Sequence, residues 1–376
     1  MYLSKKISFL LFLFTFISCN NKESKASENT INNEIKHAKG LSIITKENYS
    51  IVEVTSPWPN AKKKYSYILK KKNSVIPTEY KNFTQIQVPI KTIVLTSTTH
   101  IPSLEMLGEE NKLIGFPNLN YISSEKFRNL IDAGKIKELG SNQSLNTEVL
   151  INLQPDIIMG YGLDNNNPTL DNLERNGLKV ILNGDWNEQS PLGKVEWIKL
   201  FGLLFGKEKQ ANEIFKSIEK TYNETLKLVE KTKTKPTVFS GSLYEDKWYL
   251  PQGESWGAKF ITNANGNYLW AKTKGTGSLS LSFEKVYSIA KNADIWFMDQ
   301  YTSLEEIKNA NPHYSQFKAY KTKNIYSFSK KKGKTGGVIY YELAPNRPDL
   351  VLKDLVKIFH PELLPNYQLY FFEKLQ

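Results

Sequence analysis

From residue 90 onward, apolar runs of strand length alternate with runs of helical period, and this alternation is interrupted only once. KTIVLTS, KLIGF, DIIMGYG and LKVILNG read as strands; IPSLEMLG, SEKFRNLIDAG, TEVLINLQP and NPTLDNLERNG between them read as helices. Residues 191–232 then carry no strand signal. After Pro236 the rhythm returns with TVFSGSLYEDKWYL, SWGAKFITNANG, SFEKVYSIAKNA, DIWFMDQ, SLEEIKNA, KNIYSF and a closing RPDLVLKDLVKIFHPELL. Such alternation demands βα units around a mostly parallel sheet, because parallel neighbours need a crossover. Two blocks flanking one helical stretch predict an α/β protein of two Rossmann-like lobes joined by one long helix. The 376 residues suffice for two cores. Gly202 and Gly206 mark a break or a tight packing point in the helical stretch.

Upstream, residues 41–89 alternate and carry β-branched and aromatic side chains, punctuated by Pro57, Pro59 and Pro77. They predict a small antiparallel β extension. At the chain start, Lys5 and Lys6 precede an apolar run over residues 7–17, too short for a bilayer span and suited to a signal peptide. Cys19 is the only cysteine and stands where such a leader is cut, so an internal disulfide is excluded. Two readings follow: a lipidated Cys19, or a secreted chain cut nearby with a chance cysteine. The plan is a signal peptide (1–18), a polar flexible tether after Cys19 (19–40), the β extension (41–89), an N-terminal lobe (90–189), the connecting helix (190–235) and a C-terminal lobe (236–376).

One phrase occurs in both lobes. Residues 146–162 (NTEVLINLQPDIIMGYG) and 282–300 (SFEKVYSIAKNADIWFMDQ) each begin with a cap-type residue. Each then places a glutamate, an apolar helical run, an aspartate and an apolar strand. Asn146 and Ser282 are N-cap candidates, and Glu148 and Glu284 suit the positive end of the helix that follows.

In open α/β sheets, ligands bind beyond the carboxyl ends of the strands. The residues that fall there are His100, Tyr121, Tyr161, Trp186, Trp256 and Tyr301, with Glu342 leading into the last helices. Rings in so many strand-end loops either pack under those loops or line a cleft for a large planar or amphipathic ligand. The formal charge of +12 is either a solvated lysine-rich surface or an attraction to anionic partners. No nucleic-acid motif accompanies it. No G-x-S-x-G, P-loop or G-x-G-x-x-G occurs, and no pair of the four histidines has metal-site spacing, so neither an enzyme nor a resident cofactor or metal is expected. Glu148 and Glu284 would make a poor glycosidase pair, since equivalent places on two lobes lie far apart.

The leader, the two-lobe plan, the long helix and the motif E-x-[LIV]-x-x-L-x-P-D-[LIV]-[LIV] at Glu148–Ile158 resemble the substrate-binding proteins of ABC importers for ferric siderophores, haem and cobalamin. The likeness covers about residues 90–365, includes the His360-Pro361-Glu362 close, and is nearest to long lipoprotein members of Bacteroidetes-type bacteria. The second copy is looser, with Asn292-Ala293-Asp294 in place of Gln154-Pro155-Asp156. The resemblance implies the helical-backbone, class III binding-protein fold with modest hinge motion. It also implies a monomer anchored in the cell envelope and facing the periplasm, and a metal chelate held between the lobes. Glu148 and Glu284 would dock onto arginines of a two-fold permease. The alternatives are haem capture, a surface scavenger without a permease, or a carboxylate-dependent hydrolase on the same scaffold.

Overall fold

A computed structural model describes residues 33–376; the predicted signal peptide, Cys19 and residues 20–32 of the predicted tether lie outside the described residues. The β extension comprises β1 (Leu41–Thr45), β2 (Tyr49–Val54), β3 (Tyr65–Lys70) and β4 (Thr84–Gln87). The first three pair antiparallel, but β4 runs parallel to β3. The sheet is therefore mixed and not wholly antiparallel, because residues 71–83 carry the chain back to the end where β3 began.

The N-terminal lobe contains β5 (Ile93–Leu95), α1 (Ile101–Leu107), β6 (Leu113–Phe116), α2 (Glu125–Asp132) and β7 (Lys137–Glu138). A small ribbon, β8 (Gly140–Ser141) with β9 (Ser144–Leu145), leads to α3 (Thr147–Leu153), β10 (Ile157–Gly160), α4 (Pro168–Arg175) and β11 (Val180–Leu182). Its sheet is parallel throughout, in the order β11-β10-β5-β6-β7. The connection is α5 (Pro191–Glu196), α6 (Ile198–Phe205) and the 22-residue α7 (Glu208–Val229). Gly206 ends α6 in the left-handed region at φ +67°, and a Cβ on Gly202 would lie 2.5 Å from that of Ala211. The first glycine thus turns the chain, and the second lets α6 and α7 touch.

The C-terminal lobe runs β12 (Thr237–Ser240), β13 (Ser242–Tyr244), β14 (Lys247–Pro251), α8 (Trp256–Asn263), β15 (Asn267–Tyr268), β16 (Ser278–Leu281) and α9 (Phe283–Ala290). It continues with β17 (Ile295–Met298), α10 (Leu304–Ala310), α11 (Lys318–Lys321), β18 (Ile325–Ser327), α12 (Ile339–Leu343), α13 (Pro348–Phe359) and β19 (Glu373–Lys374). The main sheet is β15-β12-β17-β18-β19, with β19 antiparallel. β13, β14 and β16 form a separate antiparallel sheet. Phe239, Trp248, Trp296 and Phe317 stack under it, with Phe239 and Trp296 5.0 Å apart. Trp248 is fully buried there and belongs to the core.

Strand order reverses between β5 and β10 in one lobe and between β12 and β17 in the other. The repeated phrase supplies the second strand at both places, and its aspartate has a shared task. Asp156 Oδ2 accepts the amides of Lys91 and Thr92 (2.6 and 3.0 Å), while Thr92 Oγ1 accepts the Asp156 amide (3.0 Å). Asp294 Oδ2 accepts the amide and hydroxyl of Thr237 (2.8 and 2.6 Å), and Thr237 Oγ1 accepts the Asp294 amide (3.0 Å). Each aspartate staples the start of its strand to the start of the neighbour across the reversal. Burial pushes the Asp294 carboxyl up, but Lys318 at 2.6 Å and the Thr237 donors outweigh it and hold the group below its usual range. Its contribution is therefore present at neutral pH and lost as pH falls into the acid range. Asp294→Ala is expected to cost about 2 kcal/mol, the worth of hydrogen bonds to a charged acceptor. An unchanged denaturant midpoint at pH 7 would contradict the staple.

The described end of the predicted tether differs from the expectation. Residues 36–38 donate their amides to Glu196, at 2.6–3.1 Å, and Lys39 and Gly40 donate theirs to Glu188 (2.9 and 2.8 Å). His37 Nε2 lies 2.6 Å from Glu219 on α7. Residues 33–40 are therefore strapped to the connecting helices and to the turn just before them, because two buried carboxylates need donors that backbone amides supply.

Candidate functional site

Both strand-order reversals open onto cavities, as the general rule for open α/β sheets requires. In the C-terminal lobe a cavity of about 330 Å³ lies past β12 and β17, touched by Gly241, Asp299, Trp256, Tyr340, Tyr341 and Phe328 among others. Its wall is a stack of rings. Trp256 lies 5.9 Å from Tyr340 at 26°, and Tyr340 lies 4.1 Å from Phe328 at 19°. Ser255 fixes the start of α8 by accepting the Ala258 amide at 3.3 Å, which sets Trp256 at the first helical position facing the cavity. Tyr341 donates to Asp299 at 3.4 Å on the rim. Burial pushes the Tyr340 hydroxyl well up, so this wall stays neutral across the physiological range. In the N-terminal lobe a second cavity of about 320 Å³ lies past β5 and β10, and Tyr161 lines it.

A buried polar cluster separates the two lobes near α5. Lys194 Nζ donates to the carbonyls of Asp185 and Trp186 (3.0 and 2.7 Å) and lies 5.6 Å from the Trp256 ring centre. Burial lowers the Lys194 ammonium below its usual range. The Asp185 carboxyl is pushed up by burial but held low overall by His100, Lys194 and Thr99.

The predicted ligand residues do not form one ring around a single cavity. Trp256 is on the aromatic wall and Tyr161 in the opposite lobe's cavity. Trp186, 36 % exposed, is joined to Trp256 through Lys194. Tyr121 is exposed in a loop that meets residues 335–337 of the other lobe, and half-buried Tyr301 packs edge-on to Tyr314 at 6.4 Å. His100 was expected on the cleft wall, but it is 1 % exposed, with Nε2 3.7 Å from Asp185 Oδ1 and its ring against Phe201. It stands just before α1 without making a capping hydrogen bond, and α12 packs against its turn. Glu342 was expected to face a ligand, yet its oxygens accept the amides of Ser123 and Ser124 (2.7 and 2.9 Å). A carboxyl group from one lobe thus serves the uncapped start of α2 in the other. Tyr249, Phe328 and Asp299 escaped the sequence reading, while Tyr340 and Tyr341 stand in the stretch that ends at Glu342 and leads into the last helices. Asp299 and Tyr340–Tyr341 do flank strand and helix ends, a signal that position alone offered.

Burial raises the Glu342 carboxyl from 4.5 to about 7; the Ser123 and Ser124 amides pull it back and nearby Glu105 adds to the rise. A carboxyl raised in this way favours the protonated folded form. Its stabilising contribution is complete below the unfolded value and is lost as pH rises through about 7. Between pH 5 and 7.5 the protein is expected to lose on the order of 3 kcal/mol relative to Glu342→Gln. Thermal melts of the two across that range check this, and parallel profiles would refute it.

Glu148 and Glu284 are both exposed in the first turns of α3 and α9. Asn146 and Ser282 cap those helices, accepting the amides of Val149 (3.1 Å) and Lys285 (3.3 Å). Its own amide and the Ser282 hydroxyl hold the Glu284 carboxyl below its usual range. Among the described residues no three His, Cys, Asp or Glu side chains converge as metal ligands, and no helix is long and apolar enough to cross a membrane.

Residues 93–331 match the periplasmic binding protein family. The chain is 30 % identical over 93 % of its length to "Uncharacterized lipoprotein MJ0878" of Methanocaldococcus jannaschii, covering 87 % of that protein. Among solved structures it resembles a possible iron-binding, periplasmic solute-binding protein from Staphylococcus epidermidis, with a TM-score of 0.56 at 21 % identity over 72 % of this chain and 99 % of that one. It also resembles the periplasmic heme-binding protein RhuT from Roseiflexus, with a TM-score of 0.54 at 15 % identity over 73 % and 99 %. At these identities the likeness to both solved structures is one of fold.

Proposed function

The chain belongs to the periplasmic binding protein family, and on that footing we propose that it captures a metal chelate between its lobes and delivers it to an ABC importer. The observation that carries this reading is the stack of Trp256, Tyr340 and Phe328 at the β12/β17 reversal. Stacked rings offer apolar area and π faces to a planar or amphipathic body. A ferric siderophore, haem or cobalamin has that character. The iron and haem named for the two solved relatives support a ligand of this class. Trp256 forms the principal contact. Trp186 and Tyr301 border it, Tyr161 meets the ligand from the other lobe, and Tyr121 lies at the rim.

The chain acts as a monomer, lipid-anchored through Cys19 and facing the periplasm, with no turnover and no resident cofactor. A relative named as a lipoprotein and matching nearly the whole chain supports the anchor. Glu148 and Glu284, one exposed on each lobe, dock on two permease subunits through charge-assisted pairs with arginine. The test is the absorption spectrum of protein isolated from iron-starved and from cobalamin-fed cells, followed by titration with haem, cyanocobalamin and a ferric trihydroxamate. Ferric chelate, haem and corrin differ in colour. A colourless protein that binds none of the three would overturn the reading.

A further inference from the structure

The cavity in the N-terminal lobe differs in chemistry from the aromatic one. Its polar side chains include Asn142, Gln143, Tyr161, Asn166, Asn167 and Thr169, and no lysine, arginine or histidine lines it. The single carboxylate on its wall is Asp164. Such a lining repels anionic groups such as propionates, and it offers both donors and acceptors to neutral amides or hydroxyls.

The loop that forms this wall is held from outside the lobe. Trp58 of the β extension is 2 % exposed, and its Nε1 donates to Asn165 Oδ1 at 3.1 Å; the Lys62 amide joins the same oxygen at 3.2 Å. A Cβ on Gly162 would lie 2.5 Å from two carbons of the Trp58 ring, so the loop backbone lies directly on the indole. Trp58 stands edge-on to Tyr65 at 5.7 Å and shares an apolar cluster with Leu145 and Leu170, both of which line the cavity. Pro57 and Pro59 flank the ring and stiffen its turn. Pro57 also closes on Gly184, just past β11, where a Cβ would lie 2.8 Å from its Cα.

We infer that the β extension is part of the binding apparatus. Through Trp58, a positioning residue, it sets the 161–167 loop and so shapes a subsite for an uncharged, amide- or hydroxyl-bearing part of the ligand. This rests on the reading that the ligand lies between the lobes.

The test uses the full chain with cyanocobalamin, the ferric chelate of a linear trihydroxamate, and haem as probes. Gln143→Ala with Asn166→Ala, both exposed positions that leave the core untouched, and Trp58→Phe, which keeps a ring but loses the N–H, are compared with the unaltered protein. Each is expected to weaken the amide- or hydroxamate-rich probe by about tenfold, the worth of one or two hydrogen bonds, and haem by less than about twofold. Amide hydrogen exchange over residues 161–167 should quicken in Trp58→Phe without ligand; unchanged exchange overturns the positioning role. Binding of haem alone by the unaltered protein, or equal losses for haem and the neutral probes, overturns the assigned chemistry. If the probes bind but ignore these changes, the inter-lobe reading stands and this inference falls. If no probe binds the unaltered protein, both fall.

Discussion

Cells carrying Glu148→Ala together with Glu284→Ala are expected to take up the chelate on the order of a thousandfold more slowly, although the purified variant binds it as tightly as the unaltered protein. Truncating one partner of a buried, hydrogen-bonded interfacial charge pair costs about 2–5 kcal/mol, because the remaining arginine is left desolvated and unpaired. Two such losses on a pseudo-symmetric surface exceed what a transient complex tolerates. Both glutamates are exposed and neither lines the aromatic cavity or the one in the N-terminal lobe, so ligand affinity there has no route to change. Their N-caps are supplied by Asn146 and Ser282, so the helices persist in the variant. Uptake measured with a radiolabelled chelate, set beside titration of the purified protein, separates the two effects. Normal uptake, or a fall matched by lost affinity, would remove the docking role.

Trp256→Ala is expected to weaken ligand binding about thirtyfold or more, with a far smaller effect on folding. Aromatic anchors in desolvated pockets commonly cost about 2 kcal/mol or more on truncation. Trp256 is only half-buried without ligand, so much of its area remains to be covered on binding. Trp256→Phe should recover most of the affinity, because the stack with Tyr340 needs a flat ring more than an indole. Equal titration curves for the alanine variant and the unaltered protein would move the ligand elsewhere.

The lobes and their long connecting helix were legible in the chain because apolar period is local: each strand and helix states its own repeat within a few residues. The caps at Asn146 and Ser282 were legible for the same reason, since donor and acceptor stand three positions apart. The aspartate of the repeated phrase was visible, but its task was not. Thr92 and Thr237, the partners of Asp156 and Asp294, stand 64 and 57 positions away. Trp58 gave no signal of a role at the N-terminal lobe, because Asn165 lies 107 positions downstream. Glu342 and His100 show the converse. Their places near strand and helix ends suggested a ligand, but the approach of one lobe to the other turned Glu342 into a cap and enclosed His100.

Local pattern therefore determined the class of fold, the duplication of one phrase and the exposed glutamate that opens each copy, since all three depend on neighbours a turn or a strand apart. Only the tertiary structure decided which rings face the cleft and which fill the core. It also decided which carboxylates meet solvent and which serve a distant amide, and that the β extension props a loop of the lobe it precedes. Those outcomes depend on desolvation, and desolvation is set by whatever part of the chain comes to lie alongside.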